Sequence, residues 1–200
     1  MISIFDYGAG NLRSVENTLG VTGADYELVR DAEGLRRATK IILPGVGHFG
    51  QMMRALDEMD VRAALIETIR AGVPFLGICL GLQALYESSE EAPTLRGLGL
   101  LPGRVTRLPD EVKLPHMGWN TLKSVRASRL LESVSSDAHF YFAHSFAAPV
   151  AGDETVAVSA HGREFAAVLE KGNIRAVQFH PEKSGEAGAQ VLRNFLRAAA

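Results

Sequence analysis

Apolar positions in the first half of the chain fall into two alternating textures. Short, almost continuous apolar runs at 2–5, 26–29, 41–43 and 74–78 end in Gly, Pro or Asp, as strands buried on both faces do. Between them, 12–19, 49–59 and 61–71 show helical spacing, with Val61, Leu65 and Ile69 at i, i+4 and i+8 forming one apolar stripe. Strand alternating with helix predicts right-handed crossovers and an α/β fold with a doubly wound, mainly parallel sheet. Functional residues are then expected at the carboxyl ends of its strands.

From about residue 98 the pattern shortens. Strands are expected at 104–108, 120–125, 140–142, 155–160, 165–170 and 174–179, punctuated by turn signals such as Ala151-Gly-Asp and Lys171-Gly-Asn. A last helix at 187–199 places Val191, Phe195 and Ala199 on one face. These read as antiparallel additions in the C-terminal half, and the whole of 1–200 as a single domain without repeat or linker.

The chain has 200 residues, 46% hydrophobic and 22% charged, with a formal net charge of −2. That is a globular composition. The densest basic cluster is Arg36, Arg37 and Lys40, too sparse for a nucleic-acid footprint. The longest mostly apolar run, 73–82, is far below the ~20 residues that span a bilayer, and no basic region precedes an apolar one at the start. A cytoplasmic protein with no membrane or nucleic-acid partner is expected. The single cysteine, Cys79, has no partner for an internal disulfide. His139 and His144 lie five apart without a cysteine or carboxylate pair nearby, so no metal is expected. Gly8-Ala-Gly10-Asn-Leu-Arg13 imitates a dinucleotide fingerprint but carries Arg13 where the third glycine belongs, so no nucleotide cofactor is expected either.

Three segments hold candidate chemistry. Gly77-Ile-Cys79-Leu-Gly81 follows an apolar strand and opens a helical stretch at 80–87, the thiol form of the strand–turn–helix elbow that exposes a nucleophile. A buried, inert cysteine is the competing reading. His180 and Glu182 flank Pro181 at the end of the last strand, so Cys79, His180 and Glu182 form a nucleophile, base and acid set; a surface turn is the alternative. Pro44-Gly45-Val46-Gly47 ends the third strand, where backbone N–H groups at a glycine loop suit an oxyanion and a plain turn is the alternative. Gln83 lies one helical turn beyond Cys79, on the same face.

These segments resemble the class I, triad-type glutamine amidotransferases. Asp6-Tyr-Gly-Ala-Gly-Asn-Leu-Arg-Ser14, Leu43-Pro-Gly-Val-Gly-His-Phe49, His116-Met-Gly-Trp-Asn120, Tyr141-Phe-Ala-His-Ser-Phe146 and Gln178-Phe-His-Pro-Glu-Lys-Ser184 narrow the resemblance to the glutaminase subunits of imidazole glycerol phosphate synthase. It extends over essentially the whole chain, with Phe146 where many relatives carry tyrosine. It implies hydrolysis of L-glutamine to glutamate and ammonia by Cys79, His180 and Glu182. A (β/α)8-barrel cyclase partner would consume the ammonia, making imidazole glycerol phosphate for histidine biosynthesis and an aminoimidazole carboxamide ribotide. By the same resemblance, Gly45, Val46, Gly47 and Leu80 belong to the oxyanion hole, Gln83, Ser145 and Phe146 to the glutamine site, and Asn11, Trp119 and Lys183 to the partner interface. A free-standing thiol hydrolase, an amidotransferase subunit of another synthase, and a regulatory module with a structural cysteine remain as competitors.

Overall fold

Residues 2–8, 12–21, 23–150 and 152–197 are described by a computed structural model. Its main sheet contains eight strands. β1 (Ile2–Phe5), β2 (Tyr26–Val29), β3 (Lys40–Gly45), β4 (Phe75–Cys79) and β13 (Ile174–Val177) run parallel, and β8 (Lys123–Ser124), β11 (Thr155–His161) and β12 (Arg163–Lys171) extend the sheet antiparallel. The order is β2-β1-β3-β4-β13-β12-β11-β8. The expected doubly wound, mainly parallel α/β sheet is therefore present.

Helices α1 (Leu12–Val21) and α6 (Gly185–Arg197) cover one face, and α2 (Ala32–Arg37), α3 (Phe49–Glu58) and α4 (Arg62–Arg70) the other. Alternation along the strands divides the core accordingly. Ile41, Leu43 and Phe75 pack with Met52, Leu56, Leu65 and Ile69, while Ile4, Ile42, Leu76 and Ile78 pack with Val15, Leu19, Val191 and Phe195. In α3 the buried Phe49, Met52, Met53 and Leu56 keep the i, i+3, i+4, i+7 spacing, and His48 caps the helix by accepting from Gly50 N–H at 3.0 Å.

Several expectations need correction. The helix expected at 80–87 is one turn, α5 (Leu80–Gln83), and β5 (Tyr86–Ser89) follows it. The strand expected at 120–125 is two strands in different sheets. β7 (His116–Thr121) pairs antiparallel with β9 (His139–His144) in a two-stranded ribbon, whereas β8 joins the edge of the main sheet. The additions are also not wholly antiparallel: β6 (Leu101–Arg107) pairs antiparallel with β10 (Phe146–Ala147) but parallel with β5. α2 was not expected, since its AEGLRR sequence buries only Gly34 and Leu35; an Asp31 cap to Gly34 N–H at 2.7 Å stabilises it. The last helix starts at Gly185 rather than 187, and Ala198 and Ala199 lie outside the described residues.

Candidate active site

The register of β3 and β4 sets Gly45 opposite Cys79 at the carboxyl end of the parallel sheet. Cys79 is the junction between β4 and α5, at φ 53° and ψ −105°, a conformation that L side chains rarely adopt. The strain falls on the cysteine itself, not on its glycines. Gly77 and Gly81 serve close approach: a Cβ on Gly77 would lie 2.6 Å from Gly81 O, and one on Gly81 would overlap Leu43 O. Only hydrogen at both positions lets β4 reverse into α5 against β3.

His180 follows β13, which pairs parallel with β4, so sheet order brings it beside the elbow. Its backbone is tied to β9: His180 N–H donates to Tyr141 O at 2.8 Å, and the Ser184 hydroxyl donates to His180 O at 2.7 Å while accepting from Tyr141 N–H at 3.0 Å. His180 Nδ1 lies 2.8 Å from Glu182 Oε1, with side chains 3% and 2% exposed, so His-Pro-Glu is not a surface turn. Glu182 Oε2 is buried without a hydrogen bond among the described residues, which leaves His180 as the carboxylate's hydrogen-bonded partner. The His180 pKa is raised to about 10. Burial opposes its charge, but a negative Cys79 sulfur, a hydrogen bond to that sulfur, and Glu182 outweigh the burial.

A cavity of about 330 Å³ opens over the thiol, lined by Val46, Gly47, Cys79, Leu80, Gln83, Glu91, Ala143, His144, Ser145, Phe146, His180 and Lys183. Most of the expected site residues thus converge, with Gly45 beneath, against Leu80 and Gly81. Gln83 lines the cavity but is buried, and its Nε2 donates to Phe146 O at 2.7 Å and to Gln178 Oε1 at 3.1 Å, so that nitrogen is engaged with the protein. Trp119 is 58% exposed on β7, edge-on to Tyr141, whose ring also lies 5.5 Å from Lys183 Nζ; these two expected interface residues share one surface with exposed Met117. Asn11 lies outside the described residues.

Sequence reasoning missed four residues. Gln178 is fully buried and donates from Nε2 to Cys79 Sγ at 3.5 Å; it stands in the quoted His-Pro-Glu segment, but nothing in its spacing marks it. The Tyr7 hydroxyl is buried against the Val46 backbone, and burial pushes its pKa well above the ordinary tyrosine range. Glu91 accepts from Phe49 N–H at 2.7 Å and lines the cavity, and no motif in the sequence marks it. Ser184 holds the His180 backbone through its hydroxyl. Among the described residues no cluster of three or more metal-ligating side chains fits a metal, and no helix is long and apolar enough to cross a membrane.

A strained thiol beside a buried imidazole–carboxylate pair suits acyl transfer through a thioester. Comparison with known proteins gives the same direction. The family model for glutamine amidotransferase class-I matches residues 3–199. The chain belongs to the class-I glutamine amidotransferases. Within them it is 51% identical over 196 residues to the imidazole glycerol phosphate synthase subunit HisH of Methanothermobacter thermautotrophicus, covering 98% of both chains. It is 43% identical over 199 residues to the HisH subunit of Methanocaldococcus jannaschii, again covering 98% of each. A crystal structure of a glutamine amidotransferase superposes with a TM-score of 0.77 at 21% identity, over 98% of this chain and 96% of that one. At such identity the likeness speaks for the fold, and the amidotransferase fold is the one this chain adopts.

Proposed function

We propose that this chain is the glutaminase subunit of an imidazole glycerol phosphate synthase: it hydrolyses L-glutamine and passes ammonia to a (β/α)8-barrel cyclase subunit in histidine biosynthesis. Membership in the amidotransferase family and 51% identity to a HisH subunit support the substrate class. The observation that carries the chemistry is the strained Cys79 set beside the buried His180–Glu182 pair at one cavity.

Cys79 attacks the glutamine side-chain carbonyl as a thiolate, with His180 carrying the proton. The N–H groups of Val46 and Leu80 serve the tetrahedral oxyanion; one such donor is worth about 100- to 1,000-fold in rate. His180 protonates the departing nitrogen, ammonia leaves, and a thioester remains on Sγ. His180 then takes a proton from water as the hydroxide oxygen adds to the thioester, and the C–S bond breaks to release glutamate and restore the thiolate–imidazolium pair. Glu182 keeps the imidazole oriented through its 2.8 Å contact. The Ser145–Phe146 backbone binds the amino-acid end of the substrate. Trp119 and Lys183 face the cyclase, where exposed aromatic area suits an interface anchor.

Co-expression with the cyclase subunit of the same organism tests this reading. The expected result is a heterodimer that releases glutamate stoichiometrically with cyclase product. A folded complex with no glutamine hydrolysis, or no complex at all, overturns it.

A further inference from the structure

A chain of buried and part-buried hydrogen bonds crosses from β7 to the thiol. Asn120 Nδ2 lies 3.2 Å from His116 Nε2, His116 Nδ1 lies 3.1 Å from His144 Nε2, and His144 Nδ1 lies 2.9 Å from Phe146 O. The same carbonyl accepts from Gln83 Nε2, which also donates to Gln178 Oε1, and Gln178 Nε2 donates to Cys79 Sγ. The triad mechanism uses neither His116 nor His144.

The protons along this chain are fixed from both ends. Phe146 O only accepts, so His144 carries its proton on Nδ1 and offers a lone pair at Nε2, which His116 Nδ1–H must fill. At the other end Asn120 Oδ1 accepts from Thr121 N–H at 2.8 Å, so Nδ2 is the donor; it gives one proton to Ala160 O at 3.0 Å and one to His116 Nε2. The two assignments meet without conflict only when both rings are neutral. Burial keeps them so: His144 is pushed down to about 3 and His116 to about 4, and the facing titratable groups, His161 and His180, add repulsion. The ring planes are held by stacking of His116 on His161 at 4.3 Å and on Phe142 at 4.9 Å, and by Phe165 edge-on to His144 at 4.9 Å. With all four ring nitrogens of His116 and His144 committed, this pair is not a metal site.

We propose that His144, oriented by His116 and Asn120, is a positioning residue for glutamine: it holds the Phe146 carbonyl, and with it the Ser145–Phe146 backbone and the Gln83 amide at the cavity wall. The inference rests on the glutaminase reading above. A carbonyl held by two donors, one from α5 and one from β9, ties the nucleophile's own helix to the opposite wall, so the two sides of the substrate site keep one spacing. Losing the His144 donor frees that wall while leaving Cys79, His180 and Glu182 in place. The effect therefore belongs in substrate affinity.

The test is steady-state glutaminase kinetics in the complex with the cyclase subunit. His144→Phe keeps a ring and removes the donor, and KM for glutamine is expected to rise roughly tenfold with kcat within about twofold. His144→Asn keeps a donor at the Nδ1 position and should restore KM to within about threefold of the parent. His116→Phe keeps the stack and leaves His144 Nε2 unpaired, and an intermediate rise is expected; if His144→Phe does not fold, this variant and His144→Asn decide. An unmoved KM in the folded variants, a loss confined to kcat, or His144→Asn no better than His144→Phe overturns the inference while the parent complex still hydrolyses glutamine. A parent complex without hydrolysis removes the glutaminase reading and this inference together.

Discussion

Gly45 and Cys79 stand opposite one another at the last rung of the β3–β4 ladder, at the carboxyl end of the parallel strands. A Cβ on Gly45 would lie 2.8 Å from Leu80 Cβ and 3.0 Å from Gly81 N, so the glycine lets the elbow sit against the neighbouring strand. Val46 and Gly47 then continue directly into the cavity wall over the thiol. Parallel pairing alone thus brings the proposed nucleophile and the loop that would serve its oxyanion to the same edge.

Cys79→Ala should abolish glutamine-dependent product while the complex continues to make product from added ammonium salts. In the proposed mechanism the thiol releases ammonia and takes no part in using it. Loss of both activities in a folded complex would assign Cys79 a structural role.

Replacing the strained residue should also separate stability from activity. Cys79 sits at φ 53°, so Cys79→Gly should be more stable than Cys79→Ala by about 1 kcal/mol, the reverse of the usual ranking in an element interior. Both variants should lack glutaminase activity. Thermal melts of the two proteins check the order.

Glu182→Ala should cost less activity than His180→Ala, by roughly 10- to 100-fold, because in the proposed mechanism the acid only orients the base whereas the base moves a proton in each step. Single-turnover glutamate release measures the difference. Equal losses in folded proteins would give Glu182 more than an orienting role.

Buried histidines should make stability depend on pH in two windows of opposite sign. His116 and His144 have folded pKa values of about 4 and about 3, below the ordinary value of 6.5. Between these limits the unfolded chain binds more protons, so stability falls as pH drops below 6.5, by up to about 1.4 kcal/mol per pH unit for each ring. His180 is raised to about 10, so its contribution is complete below pH 6.5 and is lost as pH rises toward 10. Denaturant melts from pH 4.5 to 9.5 should show the acid slope reduced in His144→Asn and the alkaline slope reduced in His180→Asn.

By itself the sequence determined the parts that depend on local pattern. Strand–helix alternation gave the parallel sheet because buried strands and amphipathic helices have different periods, and the glycine-flanked Cys79 and the His180-Pro-Glu182 turn were legible because such backbone demands restrict residue choice locally. Tertiary structure decided the rest. Only sheet order places β13 beside β4, and so His180 beside Cys79, a century of residues apart in the chain. Only burial distinguishes Gln178, whose amide reaches the thiol, from an ordinary polar residue next to a strand end. The split of the expected 120–125 strand between two sheets, the ending of α5 after one turn, and the pairing of His116 with His144 all arise from contacts between distant segments. Local propensity is worth tenths of a kcal/mol per residue, whereas packing and hydrogen bonding in the interior are worth more, and they carry no signal in the spacing of neighbouring residues.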